Sequence, residues 1–128
     1  MRVLLDTHTF LWMLEGSTRV SQDARELIER ADTDRLLSVA SLWEIAIKQG
    51  IGKLGLPQPF AQTLLEQVRT HGITLLPVRE AEALAVAELP HHHRDPFDRL
   101  LVAQCLTEGV PIVSADAALD AYGVQRIW

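Results

Sequence analysis

The chain has 128 residues, enough for one domain with a buried core, and its 48% hydrophobic and 23% charged content is ordinary for a soluble globular protein. No apolar stretch is long enough to cross a bilayer, the opening lacks a secretory leader, and a lone Cys105 excludes an internal disulfide. The expectation is a cytoplasmic protein of one domain, residues 1–128, whose net charge of −5 does not advertise a nucleic-acid surface.

Short apolar runs alternate with amphipathic stretches along the chain, the pattern of a parallel sheet flanked by helices. Residues 2–5 read as a strand, followed by a helix carrying Phe10, Leu11, Trp12 and Leu14. Ser21 caps a helix through about residue 31, with Ala24, Leu27, Ile28 and Ala31 on one face. Arg35 to Val39 fits a second strand. Ser41 then opens a helix that Gly50 closes in the left-handed conformation. Residues 51–58 form a Gly- and Pro-rich loop before a helix with an apolar stripe of Phe60, Leu64, Leu65 and Val68. That stripe is read chiefly as core, with any surplus open to a dimer or partner groove.

Gly72 ends this helix and Ile73 to Leu76 fits a third strand. Glu80 to Leu89 reads as a short Ala-rich helix. Residues 98–108 make the strongest helix, stopped by Gly109, with Cys105 as a buried thiol rather than a nucleophile. A strand at 111–114, a short helix near 116–121 and an edge segment from Val124 to Trp128 complete the chain. The fold expected is three-layer α/β/α with a central, mostly parallel sheet.

Four acids stand where such a fold would gather them. Asp6 follows the first strand and Asp116 follows the strand at 111–114, while Glu44 and Asp98 fall in the first turns of helices. In open α/β sheets, strand carboxyl ends and helix N-termini share one edge, where ligands bind. Each acid also has a local explanation. Asp6 and Asp116 suit helix caps, Ser41 and Glu44 form an S-x-x-E capping box, and Asp98 sits at the third position behind Asp95 and Pro96. Glu44 also stands four residues before Lys48, the spacing of a helical ion pair.

Magnitude favours the shared site. Two carboxylates about 4 Å apart repel by roughly 4 kcal/mol at an effective dielectric near 20. Four in one pocket need protons or a cation, and an all-oxygen ligand set favours Mg²⁺ or Mn²⁺ over zinc. The consecutive His91, His92 and His93 do not converge on one metal; they read as a polar loop with His93 near the site. His8 and His71 have no metal partner in the sequence.

The same residues resemble the PIN-domain family, in particular the VapC-type toxins of type II toxin–antitoxin pairs. The resemblance runs through LLDTHTFLW at 4–12, SLWEIAIK at 41–48, HRDPFDRLLVAQ at 93–104 and IVSADAALDAYGVQRIW at 112–128. By that resemblance Asp6, Glu44, Asp98 and Asp116 fall on the catalytic, metal-holding acidic quartet, and Thr7 and Ser114 on its hydroxyl positions. It implies a Mg²⁺- or Mn²⁺-dependent endoribonuclease that blocks translation by cutting RNA with metal-activated water. It also implies homodimers and a small antitoxin, through which alone DNA is contacted. Thr7, Ser114, Lys48, Arg94 and Arg99 are the candidate substrate contacts. His8 departs from the Asn or Ser of many relatives.

Two other readings stay open at this point: a non-catalytic α/β binding or scaffold module in which every acid caps a helix, and a DNA-directed nuclease of the same fold. A receiver-like signalling domain needs a lysine on a late strand, and only Lys48 and Lys53 exist.

Overall fold

Five parallel strands form one sheet in the order β3-β2-β1-β4-β5, in a computed structural model that describes all residues 1–128. The strands are β1 (Arg2–Leu5), β2 (Asp34–Ser38), β3 (Ile73–Leu76), β4 (Ile112–Val113) and β5 (Arg126–Ile127). Because every pairing is parallel, all five carboxyl ends emerge at one edge. From β1 the chain moves outward to β2 and β3, then returns to β4 on the other side. The boundary between β1 and β4 is therefore the topological switch point, where α/β sheets open a crevice.

Alternation along the strands divides the core in two. Val3 and Leu5 of β1, Leu37 of β2 and Val113 of β4 enter one buried cluster, whereas Leu4, Leu36 and Ile112 enter the other. The first cluster is covered by α1 (Thr7–Glu15), α2 (Gln22–Glu29), α3 (Val39–Gly50) and α4 (Phe60–Thr70) through Phe10, Ala24, Ile28, Ile45, Leu64 and Val68. The second is covered by α6 (Pro96–Glu108) and a 3-10 helix at Ala117–Tyr122, through Leu101, Val102, Cys105, Leu119 and Tyr122. Between β3 and α6 lie α5 (Glu80–Ala85) and a 3-10 turn, Val86–Glu88. The result is the three-layer α/β/α architecture, with a fully parallel sheet. No helix is long and apolar enough to cross a membrane.

Several local expectations are corrected. Val39 opens α3 instead of ending β2, and Ser38 is the cap, accepting the Ala40 amide. The Ser41–Glu44 capping box does not form: Ser41 lies inside the helix and Glu44 in its second turn. Gly50 belongs to α3, and the left-handed glycine is Gly52, with φ of 80°. On α4, Leu64 and Val68 are buried in the core, as the core reading of the stripe expects, while Phe60 is half-buried and Leu65 stays exposed. Cys105 is buried and its thiol is pushed up to about 12 by burial, as expected for an inert core thiol.

Candidate active site

Asp6, Asp98 and Asp116 line one cleft of about 360 Å³ at the carboxyl edge, together with His8, Trp12, His93 and Ala115. Asp6 arrives there because β1 ends at Leu5 and α1 must be capped. Its Oδ1 accepts the amide of His8, and its Oδ2 accepts the hydroxyl of Ser114. Asp116 arrives beyond β4 by the same logic, with Oδ1 capping the 3-10 helix at the Ala118 amide. Asp95 caps α6 through the amides of Phe97 and Asp98, with Pro96 in the first turn, which sets Asp98 at the third position. Capping and site membership therefore coexist. A cap occupies one carboxylate lone pair and leaves others free.

Glu44 does not line the cleft, but it stands near enough to act on Asp98. Burial comes first in raising the Asp98 carboxyl to about 7, followed by the charges of Asp95 and Asp6; His93 opposes the rise and Glu44 adds to it. Glu44 itself is 6% exposed, pairs through Oε2 with Lys48 Nζ at 3.1 Å, and leaves Oε1 buried with no partner. One ligand atom each from His93, Asp98 and Asp116 lies within 4.8 Å of the others. An orphaned buried carboxylate oxygen, a carboxyl held near neutrality and an oxygen-rich donor set together fit a hard divalent cation.

The family model described as the PIN domain matches residues 3–125. The chain belongs to the PIN-domain family. This PIN chain is 33% identical over 127 residues to Ribonuclease VapC22 of Mycobacterium tuberculosis, covering 97% of the chain and 94% of that relative. It is thus a homologue of the VapC-type ribonucleases. Its fold is similar to VapBC2 from Rickettsia felis bound to a promoter DNA fragment, at TM-score 0.72 and 12% identity over 99% of this chain and 98% of that one. It is also similar to VapBC-5 from Mycobacterium tuberculosis, at TM-score 0.61 and 21% identity over 98% and 97%. FitAcB from Neisseria gonorrhoeae matches at TM-score 0.65 and 17% identity over 98% and 96%. At such identities these three likenesses speak for the PIN fold alone.

Within this PIN domain, the residues nominated as substrate contacts have separate fates. Thr7 is fully buried and donates to Ser41 Oγ at 2.8 Å, which locks α1 against α3 and removes its hydroxyl from the cleft. Arg99 is 7% exposed and commits four of its five N–H donors to the carbonyls of Pro90, Val86 and Leu89 and to the Tyr122 hydroxyl, the pattern of a structural brace. Ser114 is buried between Asp6 and the Asp116 amide. Lys48 is tied to Glu44. Arg94 alone is exposed, in a hollow that shares His93 with the acidic cleft.

His93 is the residue that sequence reasoning placed only nearby. Its Nε2 lies 2.8 Å from Asp116 Oδ2 and 3.4 Å from Asp98 Oδ2. His92 turns away and packs edge-on against Tyr122.

Proposed function

We propose that this chain is the toxin of a toxin–antitoxin pair, a Mg²⁺- or Mn²⁺-dependent endoribonuclease that inhibits translation by hydrolysing RNA. The observation that carries the reading is the crowding around Asp98, whose carboxyl is held up to about 7 by burial and by its acidic neighbours. A fold that needed only helix caps has no reason to gather acids from three distant segments, at Asp6, Glu44 and Asp95–Asp98, until one resists ionising. Ribonuclease chemistry in the VapC22 relative supports RNA as the substrate.

Asp6, Glu44, Asp98 and Asp116 would hold the cation. When bound, it supplies Lewis-acid polarisation of the phosphodiester and acidifies water for in-line attack. The chain's own groups do the rest. Ser114 fixes the Asp6 carboxylate, Lys48 balances one oxygen of Glu44, and the α6 N-terminus favours negative charge at Asp98. Exposed Arg94 is positioned to take a phosphate flanking the cut.

The VapBC toxin–antitoxin proteins among the structural neighbours support a small antitoxin as protein partner, with DNA reached only through it. Val39, Trp43 and Ile47, four residues apart on α3, remain 41%, 63% and 41% exposed. An apolar stripe of this kind marks a protein contact, and we assign it to a second copy in a homodimer. A reduced Cys105 and an RNA target are consistent with the cytoplasm. Sequencing the RNA ends formed after brief induction tests the reading. The wild-type chain should yield defined new ends that vanish with Asp98→Asn; identical ends from both proteins would overturn it.

A further inference from the structure

His93 combines with Asp98 and Asp116 in the geometry of a metal triad, yet its other ring nitrogen argues against ligation. The backbone amide of Asp95 donates to Nδ1 at 3.0 Å. Nδ1 is therefore the acceptor, and the neutral ring carries its proton on Nε2. That N–H faces Asp116 Oδ2 at 2.8 Å, with Asp98 Oδ2 at 3.4 Å. To ligate through Nε2, the ring would move its proton to Nδ1 and set it against the Asp95 N–H, two donors facing each other. The loop around it is fixed as well: the amides of His92 and His93 both donate to the Tyr122 hydroxyl, at 3.1 and 2.8 Å. Arg99 donates to the same hydroxyl and to three carbonyls of the preceding segment.

We propose that His93 is a positioning residue, not a metal ligand: its Nε2–H holds the Asp116 carboxylate toward Asp98 so that both meet one cation. This rests on the metallonuclease reading above and adds to it. Asp116 is the more exposed of the two acids, its side chain 37% accessible against 20% for Asp98, and so has most freedom to lose. Its Oδ1 accepts from Ala118 and its Oδ2 from His93. One lone pair on each oxygen remains for the cation. Such outer hydrogen bonds hold carboxylate ligands in place, and their loss costs about 10–100-fold in metal affinity.

The two roles differ in what the metal sees. A ligating imidazole shifts preference toward Zn²⁺ and Co²⁺, whereas a donor to a carboxylate leaves the order among metals unchanged. The test titrates Mg²⁺, Mn²⁺ and Zn²⁺ calorimetrically into the wild-type protein, His93→Ala and His93→Gln, since Gln Nε2 can replace the donor. Ring-nitrogen NMR with and without Mg²⁺ reads the tautomer. Positioning predicts that His93→Ala weakens all three metals about tenfold, that His93→Gln restores most of the loss, and that Nε2 keeps its proton in the Mg²⁺-loaded state. Selective loss of Zn²⁺ in His93→Ala, an unprotonated Nε2 with Mg²⁺ bound, or unchanged affinities in His93→Ala would each overturn it. Failure of the wild-type protein to bind any of these metals would overturn the parent reading and this inference together, and shows before any substitution is made.

Discussion

Ser114 donates its hydroxyl to Asp6 Oδ2 while accepting the amide of Asp116, so one buried side chain ties the ends of β1 and β4 across the switch point. The two strands reach this position from opposite ends of the chain, 108 residues apart. Ser114→Ala leaves Asp6, 5% exposed, without a donor it cannot replace from water. The expected cost is about 2 kcal/mol, read as a lowered urea midpoint with an unchanged slope. Cleavage should fall at least tenfold through kcat, because Asp6 and Asp116 lose their common brace.

Asp98 predicts an unusual pH profile in the metal-free protein. Its folded value near 7 lies above the ordinary 3.8, so between those limits the folded state keeps a proton that the unfolded chain releases. Its contribution to stability therefore declines as pH rises from about 4 to about 7 and is level beyond. Asp98→Asn lacks this decline. In EDTA, the variant should be the more stable protein at about pH 8, with the gap closing toward about pH 4. Excess Mn²⁺ should reverse the order at about pH 8, since only the wild type gains the full binding free energy. A wild-type-minus-variant difference flat in pH contradicts the assignment.

Arg99 is expected to behave as a structural brace. Arg99→Lys replaces a fork that reaches four acceptors with one ammonium, which should lower stability by about 2 kcal/mol. The KM for RNA should stay unchanged. A raised KM with wild-type thermal stability would restore Arg99 to the phosphate contacts.

Arg94 is expected to do the reverse. Arg94→Ala should raise KM with kcat and Mn²⁺ affinity intact, and the salt dependence of RNA binding should weaken by about 0.7 in its log–log slope, one phosphate contact on a single strand. Equal salt slopes in the two proteins would remove Arg94 from the substrate path.

The sheet was legible because its signals are local. Residues 2–5, Arg35 to Val39 and Ile73 to Leu76 read as strands from their apolar character, the second overrunning by one residue, and Asp95-Pro96 with Gly109 bracket α6 at both ends. The start of α3 was not legible. Ser38 and Ser41 are equally good caps three residues apart and β-branched Val39 reads as strand; in the folded chain Ser38 takes the cap, while Ser41 accepts the Thr7 hydroxyl in the α1–α3 contact. The acids after β1 and β4 could be placed at one edge from topology alone. The aim of His93 could not, because it depends on a loop whose shape is set by Tyr122, some 29 residues away. Arg99 misled for a related reason: in sequence it is one more cation beside the acids, and only the folded loop supplies the carbonyls that engage it.

If acids from four segments act as one cation site, each of them contributes to metal affinity. Calorimetric titration of Mn²⁺ into the wild-type protein and into Asp6→Asn, Glu44→Gln, Asp98→Asn and Asp116→Asn measures this most directly. A shared site gives one wild-type binding event and at least a tenfold weakening in every variant, each still folded. Wild-type affinity retained by any of the four would contradict it.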